Sequence, residues 1–347
     1  MKLNTENVVG IGIFIFLFAY PLFVSPYNVM NLTYFLSMVF LSLSVSLIWG
    51  YTGIFSFGQA AFFGVGGYFY ALFTMNNNVP SMTPVGLVLG VLAGALVALI
   101  IGYLMFYGGI NDVFVGLITL CITVVFETFM AQTAGSQWKI GDVGLGGYNG
   151  INGIPNLSFG SFNLIGNSFY YFVLILFLLI YLGLRLFIKS KYGYAVIAIR
   201  ENRERTKLFG YNVPKIQMFV FTVGGALASL SGILYAMWGS YMTPSVVGLT
   251  ASTLPVVLVA AGGRKNLTAS VIFTLVYYWF SQSLSASGNE YALIILGVAL
   301  ILVILFVPEG IFVALFNLSD KLFLNKIKVF KLSKKESLHE QRTNQRS

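Results

Sequence analysis

Charge is scarce in this sequence. Asp, Glu, Lys and Arg make up 9% of its 347 residues, against about a quarter in a soluble domain. With 57% hydrophobic residues, the chain cannot cover a water-facing surface, so its solvent is lipid. Cysteine is reduced to Cys121, which excludes an internal disulfide. Histidine is reduced to His339 in a polar tail, which argues against a metal site built from His and Cys. The one clearly intramembrane carboxylate, Glu127, has no acidic neighbour in sequence. A membrane-embedded hydrolase or transferase would need a base or metal ligands near that depth. No G-x-x-x-x-G-K-[ST] loop is present, so the chain cannot cradle nucleotide phosphates itself.

What the sequence has in abundance is long apolar runs. A helix needs about 20 apolar residues to cross a bilayer core of about 30 Å. Runs of suitable character cover 8–24, 32–49, 57–75, 84–105, 113–131, 168–187, 216–237, 253–263, 267–283 and 291–307. The first lacks a basic leader and small-residue cleavage site, and reads as a retained membrane helix. The eighth is short and reads as a broken segment ending at Gly262 and Gly263. The expected fold is all-α: a polytopic membrane helix bundle of about ten segments.

Alternating these segments from an inside N-terminus leaves only Lys139 outside, of the 20 Lys and Arg. That lopsidedness follows the positive-inside rule and gives an N-in, C-in topology. The net charge of +9 is then topological and implies no nucleic-acid partner. The expected organisation is a transmembrane domain over 1–312 and a basic cytoplasmic tail over 313–347, in contact with water or lipid.

Burial alone cannot pack helices in lipid, so small residues mark the seams. Gly86, Gly90 and Gly94 form a ridge in the fourth run. Gly58, Gly64, Gly66 and Gly67 mark the third, and Gly224, Gly225, Ala228 and Gly232 the seventh. Polar residues at membrane depth are the functional candidates. Between Gly50 and Gln59 the chain is polar, glycine-rich and uncharged. It reads either as an inner turn or as a backbone break near a solute path, with Ser56 and Gln59 as hydrogen-bonding groups. Glu127 is either an interfacial carboxylate or a partner for a cationic group in a path. The outer loop 132–167, with Asn149 and Asn152, is either a connector or a docking surface or lid.

From Ile188 to Pro214 the chain leaves the membrane on the inner side. Ala195, Ala198 and Ile199 follow helical spacing, dense charge follows, and Gly210 closes the pattern. The spacing predicts one short helix with a small-residue apolar face open to the cytoplasm. It suits a groove in a partner protein or an anionic membrane surface.

Gly193-x-Ala195-x-x-Ala198-Ile199-Arg200-Glu201-Asn202, with Gly210 beyond, resembles the ATPase-coupling loop of bacterial ABC importer permeases for branched-chain amino acids. Ser56-Phe57-Gly58-Gln59-Ala60-Ala61-Phe62-Phe63-Gly64 resembles their early motif, and Gly147 to Pro155 their outer Asn-Gly signature. Gly262-Gly263-Arg264 and Pro308-Glu309-Gly310-Ile311 resemble their late inner turns. The resemblance covers about residues 30–312 and extends to urea permeases. It implies a non-enzymatic half-transporter of the bacterial cytoplasmic membrane. Its partners would be a related permease, two cytoplasmic ATPases and an external binding protein. It needs no cofactor of its own, since ATP is used by the partners. Gly193, Ala195, Ala198, Arg200, Glu201, Asn202 and Gly210 would couple to the ATPase; Ser56, Gln59, Glu127, Asn149 and Asn152 are the path candidates. Branched-chain amino acids are the implied solutes. Urea or short amides, or a self-sufficient ion-coupled carrier, are the alternatives. The basic run Arg203, Arg205 and Lys207 departs from the acidic and small residues usual there, and Tyr148 departs at the outer signature.

Overall fold

The computed structural model describes residues 5–110, 112–160, 162–288 and 290–321. Its membrane helices are α1 (Thr5–Ala19), α2 (Pro26–Val45), α3 (Gln59–Asn77), α4 (Thr83–Tyr107), α5 (Asp112–Ala131) and α6 (Asn167–Ile188). Two short helices follow, α7 (Lys191–Glu201) and α8 (Arg203–Leu208). Then come α9 (Val213–Gly239), α10 (Leu249–Gly262), α11 (Leu267–Ala286), α12 (Ala292–Phe306) and α13 (Ile311–Lys321). Among the described residues seven helices are long and apolar enough to cross a membrane, or eight if the bent pair α12–α13 is one span. The helices α3 and α11 fall below that criterion because they carry Gly, Tyr, Ser and Gln. Most of α3 is buried in protein, so it needs little lipid-facing surface.

Contacts sort the helix ends into two faces. At one face Arg185 meets Glu6 at 3.0 Å, Thr268 meets Glu6 at 2.8 Å, and Thr5 bonds Asp320. The N-terminal helix and the end of α13 therefore share a face. At the other face Trp238 Nε1 donates to the Met30 carbonyl at 2.8 Å, and Gln282 Nε2 to the Tyr27 hydroxyl at 3.1 Å. The loop between α5 and α6 lies there too. It folds into two small hairpins, β1 (Lys139–Ile140) with β2 (Val143–Gly144) and β4 (Ser158–Phe159) with β5 (Phe162–Asn163). Between them β3 (Ile151–Asn152) pairs antiparallel with β6 (Tyr241–Met242), which follows α9. Tyr70, Asn76 and Thr83 staple the loop to α3 and α4 through Pro155, Ile140 and Ser158.

The centre of the bundle is α2 and α9, flanked by α3 and α4. The glycine ridge of α4 is a packing seam as its spacing predicts: Gly86, Gly90 and Gly94 are buried, in line with Ala98 and Gly102. Gly225 packs on Ala98, and Gly66 on Ser229. Hydroxyls close the seams by donating to backbone carbonyls of neighbouring helices. Ser229 reaches Gly90 at 2.8 Å, Ser44 reaches Gly224 at 2.7 Å, and Ser231 reaches Ser37 at 2.7 Å. In lipid such bonds have little water to compete with them.

Two expectations are corrected. The eighth segment is not broken: α10 begins at Leu249 and follows the 3₁₀ turn Pro244–Val247, and the 19 residues from Pro244 to Gly262 are enough to span. Its first turns were hidden because Thr250, Ser252 and Thr253 lower its hydropathy. The break falls instead in the last segment, where α12 and α13 meet at 48°. The 312/313 boundary falls within α13, and the rest of the tail, 322–347 with His339, lies outside the described residues.

At the end of the bundle that bears Arg264 the backbones touch. A Cβ on Gly50 would collide with the carbonyl of Arg264, whereas one on Gly12 would meet nothing within 4 Å. Replacing Gly50 by Ala is expected to cost about 3 kcal/mol of stability. Gly12→Ala should be neutral or slightly stabilising. Thermal unfolding of the purified variants in detergent checks both.

Candidate functional site

The π-helical turn Ser46–Tyr51 ends the α2 rod, and α3 starts at Gln59. Between Gly53 and Phe57 the chain has no regular structure, yet Ser56 is buried. This stretch is the interior backbone break, not a solvated turn. Irregular backbone at membrane depth is tolerated only inside protein or along a cavity. Here α5 supplies the partners. The Phe57 amide donates to Thr119 Oγ1 at 3.1 Å, and Thr123 Oγ1 donates to the Phe57 carbonyl at 3.4 Å. Ser56 Oγ donates to Gln59 Oε1 at 3.0 Å and accepts from the Gly58 amide at 3.2 Å. Ser56 and Gln59 are thus one cluster. Thr119 and Thr123 belong to it and were missed; two threonines four residues apart in an apolar run were the available signal.

The segment from Ile188 to Pro214 is two helices, not the single helix expected. Ser190 caps α7 by accepting from the Gly193 amide at 3.2 Å. Asn202 then leaves the helix with φ −160° and ψ 104°, and its side chain caps α8 by accepting from the Arg205 amide at 2.8 Å. An Asn between two helical stretches favours this exchange, because its carbonyl replaces a lost backbone acceptor. Gly210 has φ +85° just beyond α8, in keeping with a terminator. The apolar face also differs. Gly193, Ala195, Val196 and Ile199 are buried against the protein, and Ala198 is exposed. What the hairpin of α7 and α8 leaves uncovered is larger and aromatic: Tyr192, Tyr194, Leu208 and Phe209.

Arg200 pins this hairpin to the break. Its Nη1 donates to the Gly50 carbonyl at 2.6 Å, and its Nη2 pairs with Glu201 at 2.6 Å. That hydrogen bond and charge hold the exposed Glu201 carboxyl below the ordinary carboxylate range. The pair is therefore complete at neutral pH and is lost only as pH falls through that lowered pKa. Gly53 lies against the Arg200 side chain. Beyond Gly50, Ser46 Oγ donates to the Arg264 carbonyl at 3.2 Å, and the Arg264 guanidinium lies 5.0 Å from the Trp49 ring centroid. Gly263 at φ +127° and Gly310 at φ +95° pack back to back. Four stretches far apart in sequence, around Gly50, Arg200, Gly263 and Gly310, therefore form one contiguous patch.

The remaining candidates lie apart from it. Glu127 is half-buried near the other end of α5, its carboxylate against Gly248, which opens α10. The positive end of that helix dipole favours a carboxylate there. Asn149 ends the 3₁₀ turn Gly147–Asn149 and Asn152 belongs to β3; both are exposed on the outer loop, as is Tyr148. Among the described residues no group of three or more His, Cys, Asp or Glu could hold a metal ion. Three buried polar atoms in the described residues have no hydrogen-bond partner: Gln59 Nε2, Tyr68 Oη and Gln217 Oε1.

Comparison with known proteins gives this arrangement a family. Residues 28–304 match the family described as branched-chain amino acid transport system / permease component. A Methanocaldococcus jannaschii protein, described as the probable branched-chain amino acid transport permease LivM, is 23% identical over 78% of this chain and 88% of its own. The high-affinity branched-chain amino acid transport permease LivM of Escherichia coli is also 23% identical, over 84% of this chain and 72% of its own. The probable permease LivH of M. jannaschii is 24% identical over 79% of this chain and 88% of its own. No solved structure matches the chain. The family match takes in nearly all of α2 to α12 and the patch around Gly50, Arg200 and Gly263, with Gly310 just beyond it, and the chain accordingly belongs to the permease components of branched-chain amino acid transport systems, as a multi-pass protein of the inner membrane.

Proposed function

We propose that this permease imports branched-chain amino acids by alternating access, driven by ATP hydrolysed on separate cytoplasmic subunits. The observation that carries the reading is the hairpin of α7 and α8. It is fixed to the membrane domain by Arg200 on one side and leaves Tyr192, Tyr194, Leu208 and Phe209 uncovered on the other. An apolar, aromatic surface on a water-facing segment fits a protein partner. The face bearing Arg185, Arg200 and Arg264 is then cytoplasmic, in keeping with the positive-inside rule.

Force applied to the hairpin passes through Arg200 to Gly50 and the break. From there it reaches α5 through Phe57 and Thr119, and the turns at Gly263 and Gly310 through Arg264. Packed elements with few hydrogen bonds at their junction can shift as units. A related permease would complete the transmembrane unit. An external binding protein would deliver the solute to the outer loop that carries Asn149 and Asn152.

The test is uptake of labelled leucine and urea into proteoliposomes holding this chain, its partner permease and the ATPases. Binding protein is outside and ATP is sealed inside. Leucine uptake that requires both is expected. Uptake by the chain alone down an ion gradient would replace the importer with a carrier. Two variants separate contact from transmission. Leu208→Asp with Phe209→Asp should cut ATPase co-purification about tenfold or more while membrane insertion is normal. Arg200→Met should instead keep the ATPases bound and speed amide exchange across α7 about tenfold, since a charge-assisted bond is lost. Exchange by mass spectrometry reads the second; equal ATPase loss in both variants would overturn the division of roles.

A further inference from the structure

Gln59 combines two features that helix packing leaves unexplained. Its side chain is only 2% exposed, yet Nε2 has no partner. A buried donor left unpaired is costly, and most proteins avoid it. Gln59 is also the first residue of α3, a 19-residue helix with no side-chain cap bond and no acidic residue in its first turn. The opening amides of a helix lack intrahelical partners; here Ala61 and Phe62 both bond the Gly58 carbonyl, which leaves the amides of Gln59 and Ala60 for a ligand. Ser56 Oγ bridges Gln59 Oε1 and the Gly58 amide, which holds the carboxamide over this turn.

The turn lies at membrane depth. Thr119, which bonds the adjoining Phe57, is roughly 10 Å along α5 from its inner start at 1.5 Å per residue. Helix N-termini exposed by a break in a membrane span are suited to anionic groups of solutes. Beside the break is a recess of about 360 Å³ walled by Phe55, Phe57, Val113, Gly116 and Leu117. Its walls are apolar, and it adjoins the break through Phe55 and Phe57, two residues short of Gln59 and its unpaired Nε2.

We propose that the first turn of α3, together with the Gln59 carboxamide, binds the carboxylate of the transported solute, whose apolar body lies in the Phe55–Phe57 recess. This rests on the importer reading above. The bonds from Thr119 and Thr123 to Phe57 separate the two halves of the site, so movement of α5 opens it. A solute with a carboxylate and a branched apolar body satisfies both halves; urea satisfies neither.

The experiment measures binding of labelled leucine to the purified full complex by equilibrium dialysis, alongside uptake into proteoliposomes. Gln59→Met keeps the length and removes the amide; Gln59→Glu adds a charge that repels a carboxylate. Both variants should bind leucine about tenfold or more weakly than the unmodified complex. Leucinamide, which lacks the carboxylate, should compete poorly with the unmodified complex. The Met variant guards against misfolding, because it leaves no charge and no unpaired amide buried; its melting temperature is the control. Leucine binding within twofold of the unmodified complex in a folded Met variant would overturn the site, as would equal competition by leucinamide. ATP-driven uptake of urea without leucine would keep the importer and overturn the carboxylate site. Leucine binding lost in the variants, without ATP-driven uptake by the unmodified complex, would keep the site and overturn the importer.

Discussion

One end of this bundle depends on the bare backbone at Gly50. Its missing side chain lets the Arg264 carbonyl come into contact, and its own carbonyl accepts the Arg200 guanidinium. Any Cβ there would part α2 from the turn after α10. That would also displace the Gly50 carbonyl that locates α7. The Gly263–Gly310 contact, the Trp49–Arg264 stacking and the Gly53–Arg200 contact all surround this point. One atom-sized vacancy therefore sets how the α7–α8 hairpin sits against the ends of α2 and α10.

The rest of the bundle is held by a different balance. Lipid gives apolar side chains no reason to prefer one another, so close approach and short polar bonds decide the packing. The hydroxyls of Ser44, Ser229 and Ser231 reach across to backbone carbonyls whose own helical bonds are already made. They add contacts without leaving a polar atom exposed to lipid. The same logic permits the break at Gly53–Phe57, because Thr119 and Thr123 stand where water would otherwise be needed.

Much of this architecture was legible from the sequence. The Gly86–Gly90–Gly94 ridge faces its neighbours as spacing requires, and the arginines Arg185, Arg200 and Arg264 gather at one end. The polar stretch before Gln59 is interior, as one of its two readings held. What escaped was governed by atoms distant in sequence. In the polar start of α10, Ser252 is buried and donates to the Gly248 carbonyl at 3.1 Å, which hydropathy does not register. Ala198 carries the same apolar character as Ala195 but faces outward, because Asn202 breaks the segment and fixes how α7 sits. That Glu127 lies against Gly248 follows only from tertiary contact. Arg200, read as a contact for a partner, spends its donors on Gly50 and Glu201 within the chain.

The ties between α1 and the rest have a consequence for synthesis. Glu6 is satisfied by Arg185 and Thr268, and Thr5 by Asp320. As the chain emerges from the ribosome, α1 enters the membrane long before any of these residues exists. For most of translation its carboxylate has no native counter-ion, and α1 is largely lipid-exposed even when docked. Its seat is completed only when α6, then α11, then α13 have been made. Made before all of its partners, α1 is thus among the last helices to be locked, and it acts as a clasp that closes on a finished bundle.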